Sequence, residues 1–162
     1  TITVLGSNRS FVEPYQLLQA QLAKAGIKME LQLIEHTAWH ASIRKNMSPI
    51  VVYTAARFPV ADIFLTQFFH SASAIGKPTA VTNFSHCDVA DKEIEAARSE
   101  LDAAKQLELW KVAQQKIVAH VCAVPLFDEM QVWGRSEKLD LGYPLEASIS
   151  FGPMITEKSV LK

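Results

Sequence analysis

Four residues around the end of one apolar run have side chains suited to holding a small ligand. Tyr53 and Thr54 close the run that starts at Ile50, and Arg57 and Phe58 stand in the loop that follows. The Arg57 guanidinium is a planar, permanently charged fork that fits a carboxylate or a phosphate. Aromatic rings supply the flat apolar walls of ligand pockets. Because open α/β sheets bind ligands beyond the carboxyl ends of their strands, we take all four as candidate ligand-binding residues.

Two of these residues have structural alternatives. Arg57 could pair with Asp62, five positions later, or lie in solvent, as exposed arginines commonly do. Tyr53 suits core packing better than Phe58 does, which makes Phe58 the better candidate for a pocket wall. The sequence alone leaves these alternatives open.

The histidines raise the question of a metal site. His36 and His40 are four apart, a spacing that puts two imidazoles on one helical face. Thr37, however, is the predicted N-cap of this helix, so His36 would precede the helix and the pair would not share a face. The other histidines are isolated in sequence, at His70, His86 and His120. We therefore expect no metal site and no cofactor.

Composition and motifs exclude several classes of function. Sixteen Lys and Arg against seventeen Asp and Glu leave a formal net charge of −1, unlike the basic surface of a nucleic-acid-binding protein. The sequence has no glycine-rich phosphate loop, no nucleophile elbow and no CxxC pair, so we expect no catalysis. No apolar run is long enough to span a bilayer. Residues 1–10 lack a signal-peptide pattern, and we expect any such signal to have been removed or to precede Thr1.

The first elements predict a β-α-β unit. A β-branched run predicts a strand over 1–5, and an apolar stripe predicts a helix with Pro14 in its first turn and Gly26 just after its end. Alternating apolar residues predict a strand over 27–35, with one face toward the core. These three elements open an α/β domain.

The next elements continue the α/β pattern. A helix over 37–45 is predicted to bury Trp39 and Ile43. The continuous apolar run over 50–53 predicts a strand covered on both faces and therefore central in the sheet. A short helix is predicted over 61–70.

Two consecutive helices then run from Asp88 to about Val121. Asp88, together with Asp91 three residues later, is the predicted N-cap pair of the first helix, and Asp102 is the predicted N-cap of the second. Pro125 cannot continue a helix, so we expect a strand near 124–134 that begins with a buried apolar segment. The second helix has a predicted core face made of Leu107, Trp110, Ala113, Ile117, Val118 and Val121.

Cys87 and Cys122 flank this helical pair. An antiparallel helical hairpin brings the start of its first helix close to the end of its second, which would make a disulfide feasible. Two unpaired, small, apolar side chains are the alternative. The spacing does not decide between these two states.

Segments of the chain resemble a known family. The pattern Leu-Trp-Lys-x-Ala-Gln-x-x-Ile-Val over 109–118, followed by Val-Pro-Leu-Phe over 124–127, resembles the C-terminal lobe of the family 5 extracellular solute-binding proteins, the peptide- and nickel-type receptors of ABC importers. The segment LAKAGIKMELQLIE over 22–35 resembles the family's corresponding helix, glycine and strand. The resemblance implies a three-layer α/β lobe with a mixed sheet, like domain III of the large, type II peptide-binding class. Residues 1–162 would form this single lobe, as part of a larger two-lobed receptor.

The resemblance also implies a function. Such a receptor captures a peptide or a similar small organic solute in a cleft between two lobes, in the periplasm or elsewhere outside the cytoplasm, and delivers it to ABC permease subunits. Its expected partners are the solute, the permease and the remaining lobe, with no nucleic acid. In many peptide-binding relatives an aspartate in this loop holds the ligand's amino group, whereas Arg57 stands at or beside that position here. This departure indicates an anionic group on the ligand or a ligand other than a standard peptide.

Two other functions remain open on the sequence. Some transcription regulators carry a lobe of this family as a solute-sensing domain behind a DNA-binding module. A lobe whose binding loop has drifted could instead retain only an interaction role. An N-terminal helix-turn-helix would favour the regulator, and a signal peptide would favour the receptor.

Overall fold

The computed structural model describes residues 1–7, 12–55, 60–78, 82–128, 134–144 and 154–162. Helices and strands alternate over the first half of the chain, and two longer helices follow. The elements in chain order are β1 (Ile2–Ser7), α1 (Glu13–Lys24), β2 (Met29–Ile34), α2 (His36–Ile43), β3 (Ile50–Val51), α3 (Ala61–Phe69), a 3-10 turn (Ser71–Ser73), α4 (Asp91–Ser99), α5 (Ala103–Ala119), β4 (Leu139–Asp140) and β5 (Val160–Leu161). None of the described helices is long and apolar enough to cross a membrane.

Three strands form a parallel sheet in the order β2-β1-β3. All six residues of β1 pair with β2, from Ile2 opposite Met29 to Ser7 opposite Ile34. The central strand is therefore β1. The prediction of a central strand over 50–53 is wrong for the described part of the chain, where Ile50 and Val51 alone of this run pair, they do so with β1 at one side of the sheet, and Ile50 is 41% exposed.

The β-α-β unit is confirmed. Pro14 lies in the first turn of α1, where its missing N–H costs no intrahelical bond. Gly26 has φ +77°, a conformation that glycine adopts without a steric penalty, and it turns the chain into β2. Tyr15 of α1 and Met29 of β2 are buried. Leu33 of β2 is exposed, so the predicted core face of β2 extends over only part of the strand.

The helices α4 and α5 pack as an antiparallel hairpin around a common core. Ile94 and Ala97 of α4 meet the buried face of α5, and Leu65 of α3 joins them. Only part of the predicted face of α5 is buried: Trp110, Ala113 and Ile117 are, whereas Leu107, Val118 and Val121 are exposed. Because α5 has its main contact with the single helix α4, it buries a narrow stripe instead of a broad face.

The N-terminal caps of the two hairpin helices differ. Asp102 caps α5 as predicted, since its carboxylate accepts the backbone N–H groups of Ala104 and Lys105. Asp88 does not cap α4, which begins at Asp91 after the buried Ala90. The carboxylate of Asp91 instead accepts the N–H of Ser71 at 2.9 Å, and so ties α4 to the 3-10 turn.

A disulfide joins Cys87 and Cys122 across the open end of the hairpin, with their Cα atoms 5.7 Å apart. Cys87 precedes α4 and Cys122 follows α5, so the bond links the start of the first helix to the end of the second. The sequence had left the paired and unpaired states open.

The loop before Cys87 is organised by the fully buried side chain of Asn83. Its amide nitrogen donates to the carbonyls of His70 and Cys87, at 2.9 and 2.7 Å. Its amide oxygen accepts the Cys87 N–H at 3.0 Å and the Ser85 hydroxyl at 3.2 Å. One side chain therefore satisfies four polar groups.

The segment after α5 departs from prediction. Residues 121–128 form no strand, and Val124 and Phe127 are 68% and 55% exposed. The predicted strand residues Met130 to Trp133 lie outside the described part of the chain. Antiparallel pairing is found in a separate two-stranded sheet, β4 with β5.

We expect the disulfide to stabilise the protein, because closing a 35-residue separation restricts the unfolded chain, an effect of about 3–4 kcal/mol. Urea denaturation with and without reductant measures this difference. Reductant should destabilise the native protein and leave the Cys87→Ala/Cys122→Ala variant unchanged. If reductant has no effect on the native protein, the two thiols are not joined.

We expect Asn83→Ala to be strongly destabilising, since each buried polar group left without a partner costs about 1–3 kcal/mol. The expected loss is about 3 kcal/mol or more in the free energy of unfolding. Ser85→Ala is the matched control, because it removes only one exposed hydroxyl from the same network. Equal losses in the two variants would contradict the role of Asn83.

Candidate functional site

The carboxyl ends of the three parallel strands meet at one edge of the sheet. Ser7 ends β1, His36 follows β2 after one residue, and Tyr53 follows β3 after one residue. In open α/β sheets this edge is where ligands bind. The predicted ligand loop therefore starts at an appropriate place in the fold.

The start of α2 is set by Glu35. Its carboxylate accepts the backbone N–H groups of Thr37 at 2.7 Å and Ala38 at 3.1 Å. Glu35 is thus the N-cap and the helix begins at His36, so the prediction of Thr37 as the cap is wrong. As a cap, the Thr37 hydroxyl would have accepted the N–H of Trp39 or His40, but this hydroxyl instead donates to Glu35.

Because the helix begins at His36, His36 and His40 do share a helical face. Their Nε2 atoms are 3.2 Å apart. The Nδ1 atom of His36 lies 2.8 Å from the hydroxyl oxygen of Ser7, which connects the helix to the end of the central strand. The expectation that the two imidazoles would not meet is therefore wrong.

The protonation of His40 is perturbed by its surroundings. Burial lowers its pKa, and the neighbouring His36 and Arg44 lower it further. Its Nδ1 atom is buried without a hydrogen-bond partner among the described residues. His40 is therefore biased toward the neutral form.

An aromatic cluster underlies the same edge. Trp39 donates its indole N–H to the carbonyl of Leu5 and stacks on Tyr53 with ring centroids 5.5 Å apart. Tyr53 in turn contacts Phe68 and Phe84, at 5.7 and 5.2 Å. Tyr53 therefore has the packing role that the sequence analysis offered as its alternative.

The remaining candidate ligand residues are placed only in part. Thr54 is exposed directly after Tyr53, whereas Arg57 and Phe58 lie outside the described residues. Asp62, the proposed alternative partner of Arg57, pairs with Arg98 at 3.0 Å. The ligand roles of these four residues stay predictions.

Sequence reasoning missed the contribution of Ser7. The first strand was predicted to end at residue 5, but Gly6 and Ser7 continue β1. A polar residue at the carboxyl end of a strand, followed by a histidine after the next strand, is a signal that could have paired Ser7 with His36.

Comparison with solved structures gives strong similarity to one binding protein. The chain is 54% identical to the periplasmic/solute-binding protein MoaA from A. tumefaciens R10, solved in complex with mannopinic acid, with a TM-score of 0.86. The match covers 99% of this chain and 33% of MoaA. This chain has the fold of a solute-binding-protein lobe. The predicted resemblance to the family 5 solute-binding proteins is confirmed.

More distant structures share the fold of this solute-binding lobe. The ABC transporter-associated periplasmic binding protein DppA from Helicobacter pylori, in complex with the peptide STSA, is 23% identical with a TM-score of 0.67, over 77% of this chain and 25% of DppA. HbpA2 from Haemophilus parasuis is 18% identical with a TM-score of 0.73, over 99% of this chain and 32% of HbpA2. The lobe thus spans a quarter to a third of each of these proteins. No protein-family model and no curated protein matches the chain.

The lowered pKa of His40 predicts a pH dependence of the lobe's stability. As the pH falls through the ordinary histidine pKa of about 6.5, the unfolded chain takes up a proton that folded His40 does not yet bind. The free energy of unfolding therefore falls with pH over this window. His40→Gln should lose less stability than the native protein between about pH 7.5 and pH 5.5, as measured by urea denaturation.

The matched control is His120→Gln, at the exposed end of α5, which should keep the native pH dependence. A His40→Gln variant as pH-sensitive as the native protein would show that His40 is not the group responsible.

Proposed function

We propose that this chain is one lobe of a solute receptor of an ABC importer. The observation that carries the proposal is the 54% identity to MoaA across 99% of the chain. The receptor would capture an organic solute outside the cytoplasm, close two lobes over it about a hinge, as periplasmic binding proteins do, and deliver it to membrane permease subunits. MoaA and DppA are described as binding proteins, and nothing in these comparisons favours the regulator alternative.

The exposed apolar surface after α5 supports a larger receptor. Val121, Val124 and Phe127 are each more than half exposed, and Leu126 is 48% exposed. Contiguous apolar patches on soluble proteins commonly mark surfaces that contact another protein segment. We propose that the rest of the receptor, including the second lobe, covers this segment.

We further propose that the solute carries an anionic group. MoaA was solved with an acid as its ligand, and Arg57 in the loop after β3 offers a charged fork for a carboxylate. Thr54 and Phe58 belong in sequence to the same loop, which starts after Tyr53 of the aromatic cluster. The support for Arg57 and Phe58 is their position in the sequence after a strand that ends at the binding edge.

The proposal predicts that an organic acid stabilises the full-length receptor. A solute that binds only the native state, at one hundred times its Kd, stabilises by about 2.7 kcal/mol, which a thermal-shift measurement detects as a higher Tm. Mannopinic acid is the first solute to test and the peptide STSA the second. Arg57→Ala should abolish the shift given by the acid.

The matched control is Arg135→Ala, which removes another arginine, exposed and bonded only to the carbonyl of Leu139 among the described contacts. It should retain the shift. Stabilisation by the acid that survives Arg57→Ala would keep the receptor and reject the anion-binding role of Arg57. No shift with the acid, the peptide or a wider panel of peptides and organic anions would contradict the receptor itself.

A further inference from the structure

We propose that His36 and His40 form a bidentate site for a divalent transition-metal cation at the carboxyl edge of the sheet. The site is formed by two imidazole nitrogens on consecutive turns of α2, with the remaining coordination positions open to water or to oxygen atoms of a solute. The two imidazoles can hold a cation whether or not the transport function proposed above holds.

The distance between the two nitrogens suits a shared metal ion. Metal–imidazole bonds of about 2.0–2.1 Å place two nitrogens about 2.9 Å apart at a right angle and about 3.3 Å apart at the tetrahedral angle. The Nε2 atoms of His36 and His40 are 3.2 Å apart. A cation that replaces the hydrogen bond between the rings needs both Nε2 lone pairs, so the proton that His40 Nε2 donates in this bond must move to Nδ1 of the same ring.

The Ser7 hydroxyl and the Trp39 ring fix the orientation of the His36 imidazole, as neighbouring groups do for the histidine ligands of metal sites. A ligating histidine commonly donates its other ring N–H to an oxygen, which fixes the tautomer and the plane of the ring. The Ser7 hydroxyl oxygen lies 2.8 Å from Nδ1 of His36, so a proton on Nδ1 leaves the Nε2 lone pair for the cation. Trp39 stacks on the His36 ring at a centroid distance of 5.7 Å and an interplanar angle of 19°.

The ligand types determine which cations fit. Imidazole nitrogen suits Zn²⁺, Ni²⁺ and Cu²⁺, whereas Mg²⁺ and Ca²⁺ prefer oxygen. No group of three or more His, Cys, Asp or Glu side chains in the described parts of the chain could hold a metal ion, so the site supplies two protein ligands. The His40 ring centroid is 6.4 Å from that of Tyr53, which places the site beside the start of the proposed ligand loop.

The test is isothermal titration of the full-length protein, with any histidine tag removed, against NiCl₂, CuCl₂, ZnCl₂ and MgCl₂ in the absence of solute. We expect one strong site for the three transition cations and none for Mg²⁺. His36→Gln and His40→Gln should each weaken binding by at least about tenfold, and Ser7→Ala by about tenfold through the loss of ring orientation. His86→Gln and His120→Gln are the matched controls and should bind as the native protein does.

A spectroscopic measurement on the native protein keeps the test independent of variant folding. The electron paramagnetic resonance spectrum of one equivalent of bound Cu²⁺ should show two imidazole nitrogens. A spectrum with fewer nitrogens, or unchanged affinity in both His36→Gln and His40→Gln, would overturn the site. Because no solute is added, failure of this site and failure of the receptor proposal are separate results.

Discussion

The arrangement at the carboxyl edge of the parallel sheet depends on how one helix begins. The first N–H groups of a helix have no intrahelical acceptor, and a carboxylate placed there both accepts them and complements the positive end of the helix dipole. Glu35 does this for α2 directly after β2 ends. The helix therefore includes His36, which faces Ser7 on the central strand and His40 one turn later. A start even one turn later would leave His36 in a loop.

The sheet and the helical hairpin are joined by α3. Leu65 packs into the core between α4 and α5, while Phe68 on the next turn contacts Tyr53 above the sheet. Asn83 fixes the loop that leads from this contact to Cys87.

The C-terminal end of α5 is closed by two backbone hydrogen bonds. The N–H of Val121 donates to the carbonyl of Val118 and the N–H of Cys122 to the carbonyl of Ile117, which is the pattern of a Schellman motif. Val121 has φ +53°, which is strained for a β-branched residue.

Sequence reasoning recovered the features that depend on local patterns. The β-α-β unit follows from one apolar stripe between two apolar runs, with Gly26 in the left-handed conformation that the turn requires. The Asp102 cap follows from a residue type whose role is local.

The centre of the sheet could not be found from local patterns, because strand order depends on tertiary pairing. In the run over 50–53, Tyr53 packs against other aromatic rings instead of pairing with a neighbouring strand. The histidine pair was discounted because Glu35 is a less common cap than Thr37. The exposed residues of α5 were misassigned because periodicity identifies an apolar face but not how much of it a neighbour covers.

The charge of the chain bears on how an acidic solute would be bound. A formal net charge of −1 gives no long-range attraction for an anion, so capture has to rest on local positive groups. Arg57 is one such group in sequence, and Arg44, directly after α2, lies close enough to His40 to lower the pKa of His40. A cation held by His36 and His40 would add positive charge beside Tyr53, with coordination positions open to a carboxylate. The bound cation would then strengthen anion binding, and this coupling would be reciprocal, because a solute that binds more tightly in the presence of the cation must also tighten the binding of the cation.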